Sequence, residues 1–403
     1  MRHFIRAPKP AALGFLFATL SLLLGLSGPA LAQAFQTSAP TAILMDADSH
    51  AVLFEKNADE LVAPASMAKT MTAEIVFNEL KNGRLNMDNE FTVSENAWRK
   101  GGAGSGGSAM FARVNTPIRL EDLLRGLIVQ SGNDAAIAIA EGIAGTEENF
   151  ARMMNERARQ IGLTKSTFRN ATGYGDPDQK VTVRDLAKLA LHIIETYPDY
   201  YKIFGEREFT WNKIRQQNRN PLLSMEIGAD GLKTGNIDES GYGLIGSAVQ
   251  NGQRLIVVVN GLKTAKDRAN ESRKLLDWGF RAFEARQLFA ENQVVGEAQV
   301  FGGDRRSVPL VSKKPIRVLV NRGDSERVSA RIVYNGPLKA PIQKGTEVAR
   351  IRVDRGETQA LEMPLYADED VQVGTLSQRA LDGLLEFSTG WVRKAFTSVV
   401  DRI

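Results

Sequence analysis

The 403-residue chain contains no cysteine, which excludes a disulfide scaffold and any zinc site built on thiolates. Histidine is almost as scarce: His3, His50 and His192 are the only three. His3 lies in an N-terminal export-type segment and His50 in a turn between two predicted strands. His192 falls in the apolar-periodic run 184–195, where a packed or surface histidine is the ordinary outcome. A Ser-His-Asp triad therefore has almost no material, and if a serine is the nucleophile, lysine is the base to expect. Excess charge is missing too. The formal charge is +4, but Arg2, Arg6 and Lys9 account for three of the 51 Lys and Arg residues, and the other 48 face 47 Asp and Glu. A chain so balanced argues against nucleic acid as a partner, which demands a clustered basic surface.

What is present is a globular composition, 43% hydrophobic, with length for two or three domains. Residues 1–32 read as a secretory signal: three basic residues, the apolar run Ala11–Leu26, and the small residues Ala30-Leu31-Ala32 at the cleavage site. The apolar run is short for a spanning anchor. Strands are expected over 41–45 and 51–55, and a helix from Ser66 to the Asn82-Gly83 stop. The glycine-serine cluster 101–108 has no Gly-Lys-Ser/Thr after it, so it is read as a mobile loop flanking a cleft rather than a phosphate cradle. Helices are expected over 121–129, 134–144, 149–161, 183–196 and 271–286, and strands over 229–236, 242–249 and 254–260, with Asn251-Gly252 as a hairpin turn. Helices between strands of this kind predict an α/β (α+β) domain, with helices packed on a mainly antiparallel sheet, over 33–290. The texture then changes to short β pieces, 316–320, 328–334 and 347–353, which predict a small β-sandwich over 291–376. Residues 377–403 read as an amphipathic helix: Leu381, Leu384, Leu385, Trp391 and Phe396 share one face and Arg379, Asp382, Glu386, Arg393 and Lys394 the other. Too charged to span a bilayer, it suits a membrane surface, with docking on the β domain or a dimer seam as the alternative.

Three short motifs stand in chain order: Ser66-Met67-Ala68-Lys69, Ser131-Gly132-Asn133 and Lys233-Thr234-Gly235. Each alone is weak, but together they carry a consistent chemistry. Residues i and i+3 on a helix are neighbours, so Ser66 is the candidate nucleophile and Lys69 its base, provided burial and a second cation such as Lys233 depress the ammonium. Ser131 offers a hydroxyl for proton relay, and Asn133 an amide for a substrate peptide group. Gly132 permits a tight turn. Lys233 and Thr234 suit a substrate carboxylate, and Gly235 lets a substrate backbone approach a strand edge. The backbone amides of Ser66 and Asn236 are the candidate oxyanion hole.

With the flanking runs 63–72 and 130–136, these motifs make the chain resemble the low-molecular-mass penicillin-binding proteins of the class C, type 5 group, the D-alanyl-D-alanine carboxypeptidases of peptidase family S11. The resemblance covers nearly the whole mature chain, and implies a transpeptidase/β-lactamase-like fold followed by the β domain and the C-terminal anchor. It implies removal of the terminal D-alanine from peptidoglycan pentapeptides through acylation of Ser66, and acylation of the same serine by β-lactams. It implies no metal and no organic cofactor; the export signal and the terminal helix predict a periplasmic location at the outer face of the cytoplasmic membrane, with the β domain open to envelope proteins as further partners. Asn236 departs from the group, in which His often follows Lys-Thr-Gly. The alternatives are a β-lactamase, for which no Glu-x-x-Leu-Asn run exists between Asn133 and Lys233, and a DD-endopeptidase with the same residues.

Overall fold

The computed structural model describes residues 35–322, 327–355, 358–380 and 398–400. The segment 1–32 read as a signal lies outside them, and the description concerns the unit Thr37–Ile403. Its first layer is a five-stranded antiparallel sheet in the order β2 (Val52–Lys56), β1 (Thr41–Asp46), β9 (Gln253–Leu262), β8 (Gly241–Gln250) and β7 (Ala229–Ile237). β1 is buried throughout, and its side chains alternate between two cores as the period of two requires. Ile43 and Met45, with Ile256 and Val258 of β9, join the helical core. Leu44 and Leu255 point the other way, against Gly279 of α7 (Ala265–Ala282). Asn251 and Gly252 have φ of 52° and 77°, the paired positive values of a type I′ hairpin.

The remaining helices of this domain are α1 (Lys69–Lys81), α2 (Leu120–Ile128), α3 (Asn133–Ala144), α4 (Glu147–Gln160), α5 (Val183–Thr196) and the short α6 (Pro198–Tyr201). Threonine starts three of the seven: Thr146, Thr182 and Thr264 each accept a backbone N–H three residues on, which satisfies a donor the helix leaves open. Small hairpins β3 (Glu90–Thr92) with β4 (Pro117–Arg119), and β5 (Glu208–Trp211) with β6 (Ile214–Gln217), fill the edges. His192 sits in a packed cluster, 3.2 Å from the buried Glu74 carboxylate that Arg157 and Tyr197 also contact. His50 lies on the surface against Glu195.

The second domain is β-rich. A seven-stranded sheet runs β15 (Leu338–Lys339), β11 (Val294–Phe301), β12 (Ser307–Val311), β17 (Thr358–Ala367), β16 (Glu347–Arg355), β14 (Val328–Val333) and β18 (Ser398–Val400). β10 (Phe283–Phe289) pairs with β13 (Ile316–Asn321) beside it, and Ile316, Val318 and Val320 share one core with Leu310, Ile332, Ile351 and Leu365.

One expectation needs correction. The helix expected over 271–286 spans 265–282, because Phe283 turns the chain into β10 and packs edge-on against Trp278 at 5.4 Å; strand pairing outweighs local helical preference there. Most of the helix expected over 377–403 lies outside the described residues, at 381–397; residues 376–380 are helical, and Ser398–Val400 pair with β14 as a strand.

Candidate active site

Ser66 stands in a single 3-10 turn, Ala65–Ala68, that runs directly into α1. Side chains at i and i+3 eclipse in this geometry, so Lys69 Nζ lies 3.0 Å from Ser66 Oγ. Ala65 enters the turn at a φ of +47°, an uncommon conformation for a residue with a Cβ. Lys69 is 1% exposed, and its nitrogen donates to Thr172 O at 2.6 Å and Asn133 Oδ1 at 2.7 Å. Burial pushes its pKa down to about 7, against the opposing pull of the Asp134 carboxylate. A neutral amine has two N–H groups and one lone pair. Two carbonyl oxygens, which only accept, take the N–H groups, and the lone pair is left for the Ser66 hydroxyl.

Ser131 occupies the turn between α2 and α3, and its Oγ accepts from Lys233 Nζ at 2.9 Å. The conformational freedom expected of Gly132 is used one residue earlier: Ser131 has φ +68°, whereas Gly132 has φ −57°. Glycine is needed at 132 for space, since a Cβ would stand 2.8 Å from Asp134 Oδ1 and 3.0 Å from Met110 N. Asn133 opens α3. Its Nδ2 donates to Tyr174 Oη at 2.9 Å, and Tyr174 donates in turn to Lys100 O at 2.6 Å, which fixes the amide so that Oδ1 faces Lys69.

Lys233, Thr234, Gly235 and Asn236 follow one another on β7, the end strand of the sheet. Lys233 is 2% exposed, and burial, together with Lys69, Arg219 and Arg268, holds its pKa well below the ordinary lysine value. Gly235 has a role beyond the one expected for it. A Cβ there would meet Pro64 O at 2.8 Å and Met67 Cγ at 3.1 Å, so the glycine lets β7 pack against the turn that carries Ser66. Ser66, Ser131, Asn133, Thr234 and Asn236 all line one cleft of about 570 Å³. The loop expected to flank it does so through Gly106, Gly107 and Ser108.

Several residues of the site are absent from the three motifs. Asp134, buried, accepts from Met110 N and Ala112 N and supplies the negative charge nearest Lys69, although burial raises its pKa. Arg219 and Arg268 line the cleft; Arg268 is buried beside the Tyr242 ring, and its Nε has no partner among the described residues. In sequence, Arg268 reads as one of many charged residues on a polar helix face, and no signal marks it. Asp134 directly follows the Ser131-Gly132-Asn133 motif, and that adjacency is its signal in the sequence.

A family model described as D-alanyl-D-alanine carboxypeptidase matches residues 29–264, and one described as penicillin-binding protein 5, C-terminal domain, matches residues 283–373. The chain belongs to the D-alanyl-D-alanine carboxypeptidase family. It is 39% identical over 358 residues to D-alanyl-D-alanine carboxypeptidase DacC of Escherichia coli, covering 88% of this chain and 90% of that one. With DacA of Haemophilus influenzae it shares 40% identity over 319 residues, 78% and 81% of the two chains. Among solved structures, penicillin-binding protein 5 from Haemophilus influenzae superposes with a TM-score of 0.74 at 38% identity, over 84% of this chain and 98% of the other. Penicillin-binding protein D2 from Listeria monocytogenes, in its ampicillin-bound form, matches at 0.55 and 29% identity, over 61% and 98%. The carboxypeptidase fold expected from the motifs is thus the fold this family has.

One feature of the site is steric and testable. Gly173 has φ +82°, and a Cβ on it would fall 1.8 Å from Ala65 O and 2.9 Å from Ser66 N. Gly173→Ala must displace the Ser66 turn or the Thr172 carbonyl, and misplacement of about 1 Å costs on the order of 100-fold in rate. Acylation by fluorescent penicillin should slow by at least about that factor, and the thermal transition should fall, because alanine is strained at this φ and against the Ala65 carbonyl; an unchanged acylation rate would refute this packing argument.

Proposed function

We propose that this chain is a serine-type carboxypeptidase that removes the terminal D-alanine from peptidoglycan peptides ending in D-Ala-D-Ala. The carrying observation is the Lys69 nitrogen, with two carbonyl acceptors on one side and the Ser66 hydroxyl on the other. Ser66 Oγ attacks the scissile carbonyl while its proton passes to Lys69. The oxyanion that forms is held by the backbone N–H groups of Ser66 and Asn236. Asn133 holds the substrate amide, and Thr234 and Lys233 hold the terminal carboxylate, with Arg219 and Arg268 adding positive charge near Lys233. Ser131 passes a proton to the departing D-alanine amine as the C–N bond breaks, and water then cleaves the acyl ester on Ser66. β-Lactams acylate the same oxygen, a reading supported by the ampicillin-bound relative. The relatives named above are carboxypeptidases, which does not favour the β-lactamase alternative.

The same proposal covers location. Residues 1–32 direct export, 33–290 form the catalytic domain and 291–376 the β domain. Residues 377–403 hold the protein peripherally on the outer face of the cytoplasmic membrane, where the β domain meets envelope proteins. No helix among the described residues is long and apolar enough to cross a membrane.

D-Alanine released from diacetyl-L-Lys-D-Ala-D-Ala tests the activity, and Ser66→Ala should lower the rate by at least about 1,000-fold; equal release by the variant would refute the assignment. The pH profile tests the base. With a Lys69 pKa of about 7, the amine is protonated and inactive below that value, so kcat/KM should climb as pH rises through about 7; a rate that stays flat from pH 6 to 9 would contradict it. Truncation after Gly374 should move the protein from the membrane to the soluble fraction, and unchanged sedimentation with membranes would count against the anchor.

A further inference from the structure

The polarity of the Lys69 base is set from outside the three motifs. An asparagine amide can present either its oxygen or its nitrogen to a neighbour, and the two orientations have nearly the same shape. For Lys69 the choice is decisive. With Asn133 Oδ1 turned to the amine, at 2.7 Å, both N–H groups of neutral Lys69 go to carbonyl oxygens and the lone pair is left for Ser66. Turned round, Asn133 Nδ2 would donate into that lone pair. Lys69 would then offer Ser66 Oγ an N–H, and the serine proton would have no acceptor.

The contact with Lys69 does not itself select an orientation, because a neutral amine both donates and accepts. The far side of the amide does. Asn133 Nδ2 meets Tyr174 Oη at 2.9 Å, and Tyr174 Oη meets the Lys100 carbonyl at 2.6 Å. A carbonyl only accepts, so the phenol proton is committed to Lys100 O. Oη is left to accept, which admits Nδ2 and opposes Oδ1. Both ends of this chain are held in place. Lys100 lies in the single π-helical turn Ala97–Gly101, a geometry frequent at functional sites. Tyr174 shares a loop with Thr172, and Asn170 Oδ1 accepts from the backbone N–H groups of Thr172, Gly173 and Tyr174. Asn170 Nδ2 and Gln179 Nε2 both donate to Tyr174 O.

We propose that Tyr174 is a positioning residue for acylation: its hydroxyl, oriented by the Lys100 carbonyl, locks the Asn133 amide and so keeps the Lys69 lone pair on Ser66. The inference rests on the reading of Lys69 as the base. Removing the hydroxyl alters none of the charges around Lys69, which are Asp134 on α3 and Lys233 on β7, with Arg219 and Arg268 acting on Lys233. In Tyr174→Phe the amide is free to turn, but only while Lys69 is neutral, since an ammonium has no lone pair and holds Oδ1. The turned, inactive form therefore competes with the active one at high pH and is absent at low pH.

The test is the rate of acylation by fluorescent penicillin, followed with the full chain from about pH 5.5 to about pH 8.5. For Tyr174→Phe the plateau above about pH 8 should fall by about tenfold, the ratio that one hydrogen bond can set between two orientations. The turned amide also stabilises the neutral amine, so the midpoint should drop by about one unit from its wild-type position at about 7. At about pH 5.5 the two proteins should agree within about twofold, and that agreement reports a folded site. A loss of equal size at every pH would mark a merely structural role, and an unchanged profile would show that the amide needs no lock; either result overturns the proposal. A wild-type rate that stays flat from pH 6 to 9 would instead overturn the reading of Lys69 on which it rests.

Discussion

The site depends on an amine held out of water. A lysine with 1% exposure cannot keep its proton at the ordinary cost, because desolvation disfavours the charged form. The fold gathers Lys69, Arg219 and Arg268 around Lys233, where burial and their charge lower its pKa, and one buried carboxylate, Asp134, opposes the effect of burial on Lys69. Carbonyl acceptors from two separate segments, Thr172 and Asn133, then decide which way the remaining lone pair points.

That arrangement ties distant parts of the chain to Ser66. The 3-10 turn sets the serine and lysine side by side, Gly173 lets the Thr172 carbonyl pass beneath the turn, and Gly235 lets β7 approach from the opposite side. Each glycine is required by a neighbour's backbone atoms rather than by substrate. Because β7 is an end strand, the same packing leaves a free edge along the cleft. Substrate recognition by main-chain pairing and activation of the nucleophile are therefore consequences of one contact between a strand and a turn.

Much of this could be read from sequence because it is local. The Ser66–Lys69 spacing is a helical neighbour relation, Asn251-Gly252 encodes its hairpin, and the scarcity of histidine points to lysine as the base. Those readings fail where tertiary contacts decide. Arg286 lies in a strand because β13 is available to pair with it, and Ser131 rather than Gly132 takes the left-handed conformation, while Asp134 and Met110 leave no room for a side chain at position 132. Thr172 and Tyr174 come to the site from a loop without a motif signal, and Arg268 from the first turns of α7, ahead of the helix predicted over 271–286. A carbonyl that accepts from a catalytic lysine leaves no trace in residue identity.

The central claim is that Lys69 is the residue that loses its proton near neutrality, and direct titration tests it without reference to turnover. NMR of the full chain labelled with 13C at lysine Cε, with the Lys69 resonance assigned from its loss in Lys69→Arg, should give a midpoint at about pH 7. A midpoint near the ordinary lysine value of about 10.4 would contradict the account.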